Sequence, residues 1–371
     1  MAEAGDRLAV VAAGGTGGHL FPAQALASAL TARGWRVVLA TDARAHGLSD
    51  NFPAERRIAL SAATARPGDL LGMARAGLAI LQGVAQARRA LAELQPAVVV
   101  GFGGYPSLPA LLAAISRRTR TVIHEQNAVM GRANRLLAPH VSAIACAFPI
   151  LLKAPASVAL RAQAVGNPVR PEIRALFGRG YAPPAPRGEI RLLVTGGSQG
   201  ARLLSERVPD AVARLPQDLR SRLKVVQQAR AETLERARDA YAAAGVAAET
   251  APFFTDMAVR LEAAHLVVGR AGASTVSELA VAGRPSILVP LGIALDDDQG
   301  QNARVLEGAG AAEIMPERSL TAEALAEALE RLLASPDRLD AMAAAAAGTA
   351  RPDAAERLAD LVEETAGAPG S

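Results

Sequence analysis

Three glycine-rich runs in this chain have the residue types and spacing to hold a phosphorylated ligand. They read VVAAGGTGGH over Val10–His19, LVTGGSQGA over Leu193–Ala201, and GRAGASTVSE over Gly269–Glu278. Glycines that leave a strand and open a helix let the backbone approach a ligand closely. The helix N-terminus adds unbonded N–H groups and a partial positive charge. Each run suits an anion, a diphosphate above all, although a plain tight turn would use the same residues. The third run adds Glu278, about one turn inside its helix, where a carboxylate could take a ribose diol. The alternative there is an ordinary capped helix with Glu278 on its surface.

The details narrow the chemistry. Neither of the first two runs ends in the Gly-Lys-Ser/Thr of a nucleoside-triphosphate loop, and neither reads G-x-G-x-x-G. Asp42 follows the second apolar segment, as a dinucleotide enzyme would need, so a nicotinamide or flavin oxidoreductase stays open as a rival. A further run, PLGIALDDDQGQN over Pro290–Asn302, sets three carboxylates side by side. Asp296–Asp298 could hold a divalent cation or cap a helix beginning near Gln299, and capping is preferred. Gln299 and Asn302 then stand on the first helical turn and could present polar groups to a sugar.

The elements that position these runs alternate. Leu8–Ala13, Val37–Ala40, Val98–Val100, Thr121–Ile123 and Ala143–Cys146 are short apolar strands, and Ile190–Thr195, Leu223–Val226, Leu266–Val268 and Ile287–Val289 repeat the theme. Helical patterns separate them, among them Ala23–Ala32, Arg75–Leu94, Arg202–Arg214 and Ala322–Leu333. Such alternation predicts an α/β protein with parallel sheets covered on both faces. Its 371 residues are ample for two domains. Five prolines and three glycines between Pro168 and Gly188 carry a linker signature. The expected parts are therefore residues 1–168 and 169–349, two Rossmann-like domains facing a central cleft, with a helix over 350–366 folding back on the first. Aromatics make up 3% of the chain, so Ala, Val, Leu and Ile must build the core.

Composition excludes several classes. Cys146 is the sole cysteine, so neither a disulfide framework nor a cysteine metal site is expected. The uncharged run Leu94–Ser116 is broken by three glycines and two prolines, which argues against a membrane span. The first residues lack the apolar core of a signal peptide, which points to the cytoplasm. The net charge is +4, yet Arg66–Arg120 alone holds seven arginines against Asp69 and Glu93. A basic region of that kind suits phosphates, nucleic acid or an anionic membrane, or is simply a solvated helix face.

Taken together, the motifs resemble the MurG family of UDP-N-acetylglucosamine transferases over nearly the whole chain. The likeness rests on GGTGGHLFP at Gly14–Pro22, GGYPSLP at Gly103–Pro109, HEQN at His124–Asn127 with Gly131 and Asn134, and GNPVR at Gly166–Arg170. It continues through GGSQGA at Gly196–Ala201, Arg270–Glu278 and Asp296–Asn302. The resemblance implies the GT-B glycosyltransferase fold and UDP-N-acetylglucosamine as donor. It implies lipid I, the undecaprenyl-diphosphate-linked N-acetylmuramoyl pentapeptide, as acceptor, with inversion to a β1,4 bond. By the same resemblance Thr16, Gly17 and Gly18 line the diphosphate and donor sugar, and Asn127 bonds that sugar. Arg170 and Ser198 contact the nucleotide. The backbone at Phe254 meets the uracil, so its side-chain type should matter little. Ala273, Ser274, Thr275, Val276, Ser277 and Glu278 hold the diphosphate and ribose, and Gln299 reads the sugar hydroxyls. Similar proteins often carry a histidine where this chain has Asp298, so any contact needing an imidazole there is in doubt.

Inversion requires a single displacement, with a general base within reach of the attacking hydroxyl. His19 is the candidate, because it follows the first turn and an imidazole titrates near neutrality. It could instead orient the acceptor or cap the helix, and His124 or Glu125 could serve in its place or as orienters. His46, His140 and His265 lack such placement. Helix N-termini and Arg170 could stabilise the leaving UDP, so no metal and no cofactor are expected. A lipid-linked acceptor implies peripheral docking on the cytoplasmic face of the bacterial inner membrane. Leu70, Leu71, Met73, Leu78, Ile80 and Leu81, flanked by Arg75, Arg88 and Arg89, form a candidate patch for anionic lipid, unless these apolar residues are core. The rivals are another GT-B enzyme with a different nucleotide sugar or acceptor, the oxidoreductase, and a non-catalytic membrane or nucleic-acid binder. The last is disfavoured by the missing Lys/Arg runs and scarce aromatics, and no nucleic-acid partner is expected.

Overall fold

The computed structural model describes residues 7–14, 17–42, 52–63, 69–105, 107–197, 201–292 and 296–367. Thr16, His46, Arg66 and Ser198 lie outside the described residues, as does the side chain of Leu70. The chain divides into two compact units, residues 1–170 with 353–371, and residues 171–352.

Unit 1 runs β1 (Leu8–Ala12), α1 (Gly17–Ala32), β2 (Arg36–Thr41), β3 (Arg56–Ala59), α2 (Leu70–Leu94), β4 (Val98–Gly101) and α3 (Ser107–Ser116). It continues with β5 (Arg120–Glu125), α4 (Arg132–Leu137), β6 (Ala143–Cys146), α5 (Ala156–Ala159) and β7 (Ala162–Ala164). Its seven strands are parallel in the order β3-β2-β1-β4-β5-β6-β7. The side chains of β1 alternate between two cores. Ala9 and Val11 pack with Leu20, Leu26 and Leu30 of α1, while Leu8, Val10 and Ala12 pack with Ala87 and Leu91 of α2 and Leu111 of α3. A strand buried on both faces leaves little place for polar side chains, which is why β1 reads as an unbroken hydrophobic run.

Two helices of unit 1 begin earlier than their apolar patterns suggest. The α1 helix starts at Gly17, six residues before Ala23, and carries Pro22 in its second turn. Proline lacks the N–H that would be given to Gly18, but a defect so near the helix start leaves most of the helix intact. The consequence is functional, because His19 now stands in the first turn. The α2 helix starts at Leu70, with Asp69 as its cap. The Asp69 carboxylate accepts from Gly72 N at 2.8 Å.

Unit 2 runs α6 (Pro171–Arg174), β8 (Ile190–Thr195), α7 (Arg202–Val212), α8 (Gln217–Arg220), β9 (Leu223–Gln228), α9 (Leu234–Ala243), β10 (Ala247–Ala251) and α10 (Met257–Ala263). It continues with β11 (Leu266–Gly269), α11 (Ala273–Ala282), β12 (Ser286–Leu288), α12 (Asp298–Gly308), β13 (Ala312–Ile314), α13 (Ala322–Leu333) and α14 (Pro336–Thr349). Its six parallel strands follow the order β10-β9-β8-β11-β12-β13. The Pro/Gly-rich stretch expected as a linker is packed onto this unit. Ile173 and Leu176 are buried, the Tyr181 hydroxyl donates to His265 O at 2.8 Å, and the Arg284 guanidinium lies over the Tyr181 ring.

The last helix, α15 (Ala354–Gly367), belongs to unit 1. Leu358, Ala359, Leu361 and Val362 enter its core, and burying a side chain as large as Leu or Val stabilises by about 1.5–3 kcal/mol. Arg33 clamps the helix to α1 through Asp360 and Glu363, both at 2.7 Å. Trp35, the sole tryptophan, donates its indole N–H to Glu363 at 2.9 Å. Its fluorescence is thus a built-in reporter for unit 1. No described helix is long and apolar enough to cross a membrane.

Candidate active site

Parallel sheets offer ligand crevices beyond the carboxyl ends of their strands, where the strand order reverses. In unit 1 that point lies between β1 and β4, and in unit 2 between β8 and β11. The glycine-rich runs fall there: Gly14–His19 follows β1, Gly196–Ala201 follows β8, and Gly269–Glu278 ends β11 and opens α11.

In unit 1, loops from β1, β4 and β5 meet around His19. Gly103, with φ of +77°, stands so close that a Cβ there would lie 3.6 Å from the His19 ring and 3.7 Å from Gln126. The β5 strand sends its last two side chains to opposite faces, as strand geometry demands. His124 is fully buried against the Phe102 ring at 5.4 Å, and its Nε2 donates to Gly166 O at 2.8 Å. Burial pushes its pKa down to about 4, against the raising effect of the Gly166 carbonyl, so the ring is neutral at pH 7. Glu125 turns the other way, 2% exposed, and accepts from Asn127 N (3.0 Å), Asn127 Nδ2 (3.4 Å), Gly131 N (2.9 Å) and Asn134 Nδ2 (2.8 Å). It ties the HEQN turn to the start of α4. Cys146 pairs with it in register, and burial, aided by the Glu125 charge, pushes the thiol up to about 11, where it is no nucleophile at neutral pH.

These contacts decide among the candidate bases. His124 has one ring nitrogen on a carbonyl and the other on Gln126, and Glu125 has all its capacity engaged by four N–H donors. Neither has a group left to act as the base, and His124 stands behind Gln126, which meets His19, so it fits the orienting alternative. His19 is only partly buried, with its Nδ1 on Gln126 Oε1 at 3.2 Å. Gln126 is the residue that motif reading passed over. The period-2 alternation that carries His124 inward carries Gln126 to the same side, and that was its available signal.

Gly17 and Gly18 open α1, and a Cβ on Gly17 would come within 2.9 Å of the Phe21 ring, so only glycine lets that ring fold back. The Arg170 guanidinium lies over the same ring at 4.9 Å. His140 is exposed and lines a cavity of about 540 Å³ with Arg120, Arg161 and Glu364. Arg120 and Ala143 open β5 and β6, so this cavity lies at the amino ends of the strands, away from the groups around His19.

In unit 2, Gly197 takes φ of +75° and its N–H reaches Thr195 Oγ1 at 3.3 Å. Gly272 caps α11 with extended backbone and without a side-chain bond to the first turn. The partly exposed face of α11 carries Ser274, Thr275, Ser277 and Glu278, with Ser274 and Glu278 one turn apart. Ala273 and Val276 face the core. Val276 already gives its N–H to Gly272 O at 3.0 Å, so it is corrected to a packing residue. Arg270 binds Glu317 at 2.7 Å and the carbonyls of Val289 and Pro290, and Glu317 also takes Gly292 N. The β11 and β12 loops are thereby fastened to each other.

The acidic loop departs from expectation. The α12 helix starts at Asp298, and Asp297, at its cap in left-handed conformation, makes no side-chain capping bond. Its carboxylate instead accepts from Gln301 Nε2 at 3.0 Å. Gln299 is partly exposed and holds Leu291 N at 3.1 Å, whereas Asn302 is fully buried on Ala271 O at 3.2 Å and is not turned outward for a sugar. The Phe254 side chain is buried beneath the Arg260 guanidinium at 3.8 Å, so its type matters for packing, contrary to expectation. His265 accepts from Arg191 N at 3.0 Å, and burial lowers its pKa.

Known proteins give this architecture a class. The Glycosyltransferase family 28 N-terminal domain matches residues 9–146, and the Glycosyltransferase family 28 C-terminal domain matches residues 191–358. A Phenylobacterium zucineum protein named UDP-N-acetylglucosamine--N-acetylmuramyl-(pentapeptide) pyrophosphoryl-undecaprenol N-acetylglucosamine transferase is 68% identical over 360 residues, 97% of this chain and 99% of its own length. A Caulobacter vibrioides protein of the same name is 64% identical over 361 residues, with coverage of 97% and 99%. The crystal structure of Acinetobacter baumannii MurG matches with a TM-score of 0.76 at 32% identity, over 96% of this chain and 99% of that one. The chain is thus a two-domain α/β glycosyltransferase of the GT-B type. It belongs to the MurG family.

Proposed function

We propose that this chain transfers N-acetylglucosamine from UDP-N-acetylglucosamine to the 4-hydroxyl of the N-acetylmuramoyl-pentapeptide of lipid I, giving lipid II and UDP in peptidoglycan synthesis. Full-length identity of 68% and 64% with two transferases named for these substrates carries the reading. In it, His19 Nε2 takes the proton of the attacking hydroxyl while the anomeric carbon inverts. Thr16, Gly17, Gly18 and Asn127 serve the diphosphate and donor sugar. Arg170, Ser198 and the Phe254 backbone meet the nucleotide. The first turn of α11, from Ala273 to Thr275, faces the diphosphate with its amides, Ser277 shares the exposed face, Glu278 takes the ribose diol, and Gln299 uses its amide on the sugar. Charge developing on UDP is met by helix N-terminal dipoles, so turnover needs no metal.

Calorimetry without metal tests the donor reading. UDP-N-acetylglucosamine should bind in preference to UDP-N-acetylgalactosamine, unaffected by chelator. Glu278→Ala and Gln299→Ala should each weaken it, Glu278→Ala by about 10–100-fold for a lost bond to a charged group. Binding of neither sugar nucleotide, or of both equally, would remove the donor assignment.

The same reading docks the enzyme peripherally on the cytoplasmic face of the inner membrane. At 100° per residue, Leu71, Arg75, Leu78, Leu81 and Arg89 share one face of α2, and the three leucines are each more than 60% exposed. Ile80 packs toward the core, so it leaves the patch expected from sequence. A cationic rim contributes about 1 kcal/mol per charge at an anionic surface. Reversing Arg75, Arg88 and Arg89 to glutamate should lower binding to phosphatidylserine vesicles by at least about 100-fold at low salt. Unchanged binding would rule this face out.

A further inference from the structure

We infer that Gln126 is a positioning residue that fixes the tautomer of His19, keeping hydrogen on Nδ1 and a bare lone pair on Nε2 for the acceptor hydroxyl. The inference rests on His19 being the base of the reaction proposed above. It follows from a chain of contacts in which each partner can play only one role.

The chain starts at Gly166 O. A carbonyl only accepts, so the His124 Nε2 that meets it at 2.8 Å must carry hydrogen. A neutral imidazole has a single N–H, so His124 Nδ1 is a lone pair. Full burial of this ring favours the neutral form. One end of the Gln126 amide faces that lone pair at 3.3 Å and His124 O at 3.2 Å. Two acceptors demand a donor, so the –NH2 end must lie there, and this fixes the amide against a flip. The oxygen end is then turned to His19 Nδ1 at 3.2 Å. An amide oxygen only accepts, so Nδ1 of His19 must carry hydrogen, and in the neutral ring Nε2 is then bare.

The arrangement suits a base that works once per turnover. Gln126 is itself 2% exposed, so water does not compete for its oxygen. A neutral amide orients the ring without adding a negative charge beside it. When Nε2 takes the proton, both ring nitrogens become donors and Gln126 Oε1 continues to accept from Nδ1.

The test is nitrogen-15 NMR of the full chain with labelled histidine, reading two-bond proton–nitrogen correlations at neutral pH. His19→Gln identifies the His19 signals among the five histidines. Wild type should show a protonated Nδ1 and an unprotonated Nε2. Gln126→Leu should lose that signature to a tautomer mixture and lower kcat by about 10–100-fold, with KM for both substrates within about twofold. Gln126→Glu, held protonated by the two acceptors of His124, keeps a carbonyl oxygen toward Nδ1 and puts its O–H in place of the –NH2, so it should recover both the tautomer and part of kcat. A wild-type ring protonated on Nε2, or a Leu variant with unchanged tautomer and kcat, would overturn the inference. The wild-type spectrum decides even if a variant fails to fold. If His19→Gln turned over normally while wild type kept the expected tautomer, the base assignment would fail and the relay geometry would stand. An inactive His19→Gln with a mixed wild-type tautomer would sink the relay alone.

Discussion

His19→Gln should lower kcat by about 10³-fold while leaving KM for the donor within about twofold. General-base assistance contributes about 10²–10⁴-fold, and 10³-fold corresponds to about 4 kcal/mol of transition-state stabilisation. An interaction made only as the proton leaves shows in kcat and spares ground-state binding. The size of the expected loss follows from the absence of a substitute base among the described residues around His19. His124 is sealed in the core with both ring nitrogens engaged, and Glu125 is spent on four N–H donors. Neither can step in when the imidazole is removed. The measurement is steady-state kinetics with lipid I across a pH range. The variant should lose the rise in kcat that accompanies deprotonation of the base, and its residual rate should climb with hydroxide alone. A loss confined to KM for lipid I would make His19 an orienting residue and leave the base to be sought elsewhere.

Much of this was legible in the sequence, for a physical reason. Central strands of a parallel sheet are buried on both faces, so β1, β4 and β11 show as unbroken apolar runs, and β2, β5, β8 and β9 keep a short apolar centre flanked by polar residues. The edge strands do not. Arg56–Ala59 exposes both arginines, Ala162–Ala164 and Ala247–Ala251 are half exposed, and all of them escaped the pattern because one side of an edge strand faces water. Glycine turns were legible because they follow strands whose carboxyl ends form the crevices. The relay was not. His19 meets Gln126 across 107 residues, and His124 meets Gly166 across 42, so only the folded sheet, with β5 beside β4 and β6 beside β5, brings those groups together. The acidic loop misled for a local reason. Gly300 leaves room for the Asp297 carboxylate to lie over the first turn of α12, where a Cβ would come within 2.2 Å of it. That carboxylate then bonds to the Gln301 side chain instead of capping the backbone.

Glu125→Ala should destabilise unit 1 by about 3–5 kcal/mol, enough to remove a large part of an ordinary domain's stability. The wild-type carboxylate gathers the N–H groups of Asn127, Gly131 and Asn134 onto two oxygens that water does not reach. Truncation takes away the acceptor and strands those donors in the interior, where each unpaired group costs about 1–3 kcal/mol. Glu125→Gln separates the contributions. It keeps one oxygen, but turns an –NH2 toward either the Asn127 pair or the Gly131–Asn134 pair, so it should lose roughly half as much. Urea unfolding followed by Trp35 fluorescence reads the effect, because that indole lies in the core of unit 1. The midpoint should fall in the order wild type, Gln, Ala. Activity should fall in the same order even at urea concentrations where the variants remain folded, because Asn127 and the end of β5 lose their anchor and Gln126 shares that turn. Equal midpoints for all three proteins would mean that Glu125 holds nothing together. The carboxylate would then have to be reconsidered as a group that acts on substrate.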